Sequence, residues 1–150
     1  MPQSLDNILI HLVFSTKGRI PWLDLSIASE LHAYLASLVR NAGCECPRIG
    51  GVADHVHLAV RLSRTISIAA LVMQLKALSS KWLKGQSPRL SNFAWQRGYA
   101  AFSVGPADLA ALSAYLDNQQ EHHKTRNFQD EYRALLTKCG IPYDERYIWD

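Results

Sequence analysis

The sequence predicts an α+β fold, on three observations. Short apolar runs and helical stripes follow one another as strand, helix, strand, strand, helix, strand; two more helical patterns come after them; and the middle two strands are separated by only a tight turn. At 150 residues and 48% hydrophobic content the chain reads as one domain over residues 1–150. A chain of that size buries a core without disulfide or metal staples.

Residues 8–14, Ile-Leu-Ile-His-Leu-Val-Phe, are apolar and β-branched with polar residues and Gly18 after them, which marks a buried central strand. From Ser26 to Ala42, Ile27, Leu31, Tyr34, Leu35, Leu38 and Val39 recur at helical spacing, and Gly43 is placed to close the helix in a left-handed conformation. Residues 45–62 hold Ile49, Gly50, Gly51, Val52 and Asp54, then an alternating run from His55 to Leu62, the pattern of a hairpin. Residues 67–84 carry Ile68, Leu71, Val72, Leu75, Leu78, Trp82 and Leu83 on one face, with Ser67 as cap and Gly85 as stop.

Residues 93–104 read as a strand with a bulge at Gly98. Pro106 opens a helix striped by Leu109, Leu112 and Leu116 through about residue 123, and Asn127 with Asp130 opens the last, which Gly140 and Pro142 end. The first six elements spell the split β-α-β-β-α-β unit of ferredoxin-like folds, with two helices expected on one face of an antiparallel sheet. Cys139 falls on the apolar stripe of the last helix with Phe128, Tyr132 and Leu135, a core position.

Composition narrows the function classes. Sixteen Lys and Arg against 13 Asp and Glu give a net charge of +3, which fits a nucleic-acid partner without requiring one. No apolar run nears the ~20 residues of a membrane span and no signal segment is evident, so a cytoplasmic protein is expected. Cys44, Cys46 and Cys139 suit neither a disulfide framework nor a four-ligand zinc site.

His55 and His57 stand two apart on a strand, so both imidazoles point to one side of the sheet, close enough to share an ion. Two half-buried surface histidines fit the same spacing. Tyr115 and Gln119, four apart on a helix, bring a phenol and an amide onto one face, where a packing tyrosine is the ordinary alternative. Asp54 orients a histidine or serves as the hairpin's turn residue, and the turn is the favoured role. Lys17, Arg19, Lys76, Lys81, Lys84 and Arg97 are candidate phosphate contacts, and Trp95 and Tyr99 candidate stacking platforms.

Taken together, Gly-Val-Ala-Asp-His-Val-His-Leu-Ala-Val at 51–60 and Tyr-Leu-Asp-Asn-Gln at 115–119 resemble the single-tyrosine HUH transposases of the insertion-sequence 200 type, including their REP-associated tyrosine transposase relatives. The likeness extends through His-Leu-Val-Phe-Ser-Thr-Lys at 11–17, Ser-Ser-Lys-Trp at 79–82, Phe-Ala-Trp-Gln-Arg-Gly-Tyr at 93–99 and Tyr-Asp-Glu-Arg-Tyr-Ile-Trp-Asp at 143–150. What the resemblance implies is an endonuclease and strand transferase acting on hairpin-bearing single-stranded DNA. Tyr115 would be the nucleophile, forming a 5′-phosphotyrosine intermediate. His55, His57 and Gln119 would hold Mg²⁺ or Mn²⁺, and imidazole favours the softer ion. His122 would touch the scissile phosphate or merely end its helix favourably, and His123 follows it. The family likeness also implies a homodimer, in which the tyrosine helix of one subunit is often lent to the other. The rival readings are a hairpin-binding relative without strand transfer and a hydrolase of small phosphate esters.

Overall fold

The computed structural model describes residues 2–150. Four antiparallel strands, β1 (Ile8–Ser15), β2 (Glu45–Val52), β3 (His55–Leu62) and β4 (Ala100–Val104), form one sheet in the order β2-β3-β1-β4. Helices α1 (Leu25–Asn41) and α2 (Ile68–Lys84) cover one face, as the split unit requires. Their starts are capped as polar side chains in extended conformation allow: Asp24 accepts from the Ser26 N–H, and Ser67 from that of Ala70. Gly43 ends α1 at φ 82°, a conformation that costs glycine little.

The main core lies under these helices. Ile10, Leu12 and Phe14 of β1 and Val56, Leu58 and Val60 of β3 meet Ile27, Leu31, Leu35, Leu71, Val72 and Leu75. These strand residues alternate, so the intervening ones face the other way. That second face is also covered, by α3 (Leu109–Asp117), α4 (Gln119–His122) and α5 (Phe128–Lys138), with Val13, Ala100 and Phe102 packed on Phe128, Tyr132 and Leu136. Burial on both faces explains why β1 reads as a nearly continuous apolar run.

Three expectations are corrected. The strand expected over 93–104 is only β4: upstream of it one antiparallel bridge, Trp95 with Thr16, remains, while Phe93 and Trp95 pack into the core, Trp95 edge-on to Phe14 with its indole N–H donating to Ser79. The helix expected through 123 opens as a 3₁₀ turn at 106–108 and breaks at Asn118, whose backbone leaves the helical region between α3 and α4. Cys139 is exposed at the C-cap of α5 and not in the core, because α5 ends one residue before it. Among the described residues no helix is long and apolar enough to cross a membrane.

Candidate metal and nucleophile site

The period of two that sends Val56, Leu58 and Val60 into the main core sends His55 and His57 to the opposite face, where both are fully buried. Asp54 occupies the β2–β3 turn and also orients a histidine, its carboxylate lying 2.7 Å from His55 Nδ1. The two roles weighed for it are thus both filled. Across the ladder, His11 of β1 places Nε2 2.8 Å from His57 Nδ1.

The break at Asn118 keeps Tyr115 and Gln119 on the side that faces these histidines. The Tyr115 ring stands edge-on to His57 at 5.8 Å between centroids, and Gln119 Oε1 lies 3.1 Å from His55 Nε2. Close approach of α3 to the sheet is possible because β2 carries Gly50 there: a Cβ on it would fall 2.2 Å from the Leu116 carbonyl oxygen. Nucleophile candidate and histidine pair thus meet within one chain. A tyrosine lent by a partner would have to leave this packing.

Two residues not assigned a role from the sequence complete the cluster. Glu131, on the first turn of α5 and 1% exposed, puts Oε1 2.9 Å from His57 Nε2, 3.2 Å from His55 Nε2 and 3.1 Å from His123 Nε2. Its Oε2 accepts hydrogen bonds from the Tyr115 hydroxyl and, at 3.1 Å, from the Gln119 amide. His123 is the other, with Nδ1 2.6 Å from the Arg126 carbonyl. A signal for Glu131 was present in the sequence, since it interrupts the apolar stripe of Phe128, Tyr132 and Leu135. His11 gave a similar signal as the one imidazole inside a buried strand run.

The charges respond to this crowding. Burial would raise the Glu131 carboxyl, but hydrogen bonds from His123, His55 and His57 outweigh it and hold the group well below the usual carboxylate range. His55 is raised to about 9 against the pull of burial, because Asp54 and Glu131 flank it. His57 is lowered to about 4 and His11 to about 3, in both cases chiefly by burial. Burial, and then the Glu131 carboxylate, push the Tyr115 phenol above its ordinary value.

The donor set fits a divalent cation. His55, His57, His123 and Glu131 each offer one ligand atom, all within 4.8 Å of one another. Adjacent ligands about 2.1 Å from an ion stand about 3.0 Å apart, close to the three Oε1 to Nε2 separations. Each histidine also has a partner for Nδ1 (Asp54, His11 and the Arg126 carbonyl, respectively), which leaves Nε2 as the converging atom. Of the expected ligands, His55 and His57 lie in this set, and Gln119 Oε1, 3.1 Å from His55 Nε2, stands at the same spacing.

The expected phosphate contacts divide. His122 is at the site, its ring 5.4 Å from Tyr115 and its buried Nε2 without a hydrogen-bond partner. Lys76 is turned inward, its ammonium donating to the carbonyls of Gln96, Arg97 and Gly98 at 2.8, 3.2 and 2.5 Å, so α2 is pinned to that loop by a group that was expected to bind phosphate. Burial lowers Lys76 to about 8. Arg19 is half-buried, donating to the Trp149 carbonyl at 2.9 Å. Lys17, Lys81, Lys84 and Arg97 are exposed. Trp95 is a core residue, whereas Tyr99 is at the surface.

Fold and site together bring two strand histidines and a helical tyrosine around one buried carboxylate. The family model described as Transposase IS200 like matches residues 4–119, and the chain belongs to that family. The match ends before His123 and Glu131. A protein of Deinococcus radiodurans R1, solved as a candidate transposase, is 23% identical, with a TM-score of 0.62 over 79% of this chain and 98% of that one. A REP-associated tyrosine transposase bound to a REP hairpin is 13% identical, with a TM-score of 0.61 over 82% of this chain and 72% of its own. Both share the fold. A search of the curated proteins finds no match.

Proposed function

We propose that this transposase is a metal-dependent strand transferase that cuts and rejoins hairpin-flanked single-stranded DNA through a 5′-phosphotyrosine on Tyr115. One observation carries the reading: the Tyr115 hydroxyl and the Nε2 atoms of His55 and His57 converge on the same carboxylate, so nucleophile and cation pocket are neighbours. A bound Mn²⁺ or Mg²⁺ would supply charge for a nonbridging phosphate oxygen. His55, His57, His123 and Glu131 would hold it, with Gln119 at its edge. Unlike a pocket of neutral ligands only, this one includes a carboxylate, which suits a hard oxygen-loving ion better than imidazoles alone.

Tyr115 is a weak nucleophile as a phenol; its hydroxyl donates to Glu131 Oε2, which orients the attacking oxygen, and a bound cation would supply the charge that favours the phenolate. His122, its ring beside that of Tyr115 and its Nε2 3.5 Å from Glu131 Oε2 without a hydrogen bond, is placed to donate to a phosphate oxygen. A tyrosyl phosphodiester conserves the energy of the cut bond, so a 3′-hydroxyl can reverse the reaction without a nucleotide cofactor. The hairpin ligand is extended to this chain from the REP-associated neighbour, which is described as bound to one. A homodimer also belongs to this reading, with each tyrosine serving the histidines of its own chain.

The test is a denaturing gel of protein incubated with labelled hairpin oligonucleotides drawn from inverted repeats beside the coding region. A covalent adduct that forms in Mn²⁺ and is abolished by a chelator supports the reading. Retarded hairpin on a native gel with no adduct in any divalent metal would instead favour a binding protein without strand transfer.

A further inference from the structure

Between β4, α3 and α5 lies a cavity of about 580 Å³ whose floor is formed by His11, Tyr115 and Glu131. Its volume falls within the range of small-ligand pockets, about 300–1,000 Å³. The walls are apolar, with Phe102 and Val104 on one side and Ala111 and Leu112 on the other. Arg126 and Lys138 stand at the α5 side, and Asp108 at the α3 side.

The two cations differ from their neighbour on the same helix. Arg133 is engaged by Glu145 and Asp130, whereas Arg126 donates only to the Asp130 carbonyl at 3.1 Å, and Lys138 has no ion pair among the described residues. An apolar cavity with cations along its α5 side matches a base with its phosphates. Asp108 repels phosphate and accepts only from a donor such as a base amino group, so the charges set a direction: phosphate toward α5, base toward α3 and β4.

We propose that this cavity seats one unpaired nucleotide of the strand that Tyr115 cuts, its base between α3 and β4 and its two flanking phosphates on Arg126 and Lys138, which stand at opposite ends of α5. The inference rests on the proposed function for the identity of the strand, and on the cavity alone for binding. The probe is a fluorescein-labelled single-stranded pentanucleotide pool, titrated into wild-type protein, Ala111→Trp, and the double variant Arg126→Gln/Lys138→Gln. Ala111 is exposed, so its enlargement fills the slot without touching the core.

Ala111→Trp is expected to weaken binding about tenfold, the scale of one lost base contact. The double variant should flatten the slope of log affinity against log salt by about 1.4, that is 0.7 for each lost phosphate contact on a single strand. Amide resonances of Ser103 and Ala111 should shift on titration of wild type. Unmoved Ser103 and Ala111 resonances at saturating oligonucleotide, or unaltered affinity in Ala111→Trp, would overturn the proposal. Should Ala111→Trp melt earlier than wild type, the resonance shifts and the salt slope decide. Adduct formation by wild type is read separately: an adduct with an unmoved cavity refutes only the subsite, and an occupied cavity with no adduct refutes only the strand-transfer reading.

Discussion

Burial acts on His55 and His57 alike, yet the two end on opposite sides of neutrality because only His55 has a carboxylate on each nitrogen. The consequence is a pH dependence with two limbs in metal-free protein. His55, raised to about 9 from about 6.5, contributes stability that is full below pH 6.5 and is lost as pH rises toward 9. His57 and His11, lowered to about 4 and about 3, stay neutral in the fold while the unfolded chain takes up their protons, so stability also falls as pH drops below 6.5. Thermal melts in chelator should therefore peak near pH 6.5, and a flat profile from pH 5 to 9 would mean the imidazoles are not held as described. Metal must displace the His55 proton from Nε2. Calorimetry with Mn²⁺ at pH 7, in two buffers of different ionisation enthalpy, should show about one proton released per ion.

Among the elements, α3 depends most on a single backbone position. Gly50→Ala would place a methyl group against the Leu116 carbonyl, so α3 must lift and carry Tyr115 away from the histidines. A displacement of about 1 Å can cost on the order of 100-fold in rate. The expected outcome is adduct formation at least tenfold slower with Mn²⁺ affinity within about threefold of wild type, since the histidines stay on the sheet. The same packing shows what the sequence could and could not reveal. Strand and helix periodicity placed β1, α1, β3 and α2 almost to the residue, and the two-residue spacing put His55 and His57 on one face. Residues 93–99 misled because aromatic side chains that suit a strand also fill a core by turning inward. Glu131 went unassigned because its partners lie 74 and 76 residues away on β3; no local pattern reports such a meeting, only the oddity of a carboxylate on an apolar stripe. Lys76 misled for the same reason, its carbonyl partners being 20 to 22 residues further along the chain.

For the whole molecule, α3 packs on the sheet of its own chain, so in the proposed reading each chain supplies both its tyrosine and its histidines. A purified heterodimer of Tyr115→Phe and His55→Ala chains, co-expressed with different tags, should then form no adduct, because neither chain holds both tyrosine and metal pair. Recovery of about half the wild-type adduct would mean that the tyrosine is exchanged between subunits. The central claim, that Tyr115 attacks the phosphodiester, is tested most directly by mapping the adduct. Wild-type protein and Tyr115→Phe are incubated with the same hairpin oligonucleotide in Mn²⁺, digested and analysed by mass spectrometry. The account predicts a nucleotide-linked peptide containing Tyr115 from wild type, and none from Tyr115→Phe, which still binds the hairpin within about twofold because only one oxygen is removed. An adduct of undiminished yield in Tyr115→Phe, carried by Tyr99, Tyr132, Tyr143 or Tyr147, would contradict it.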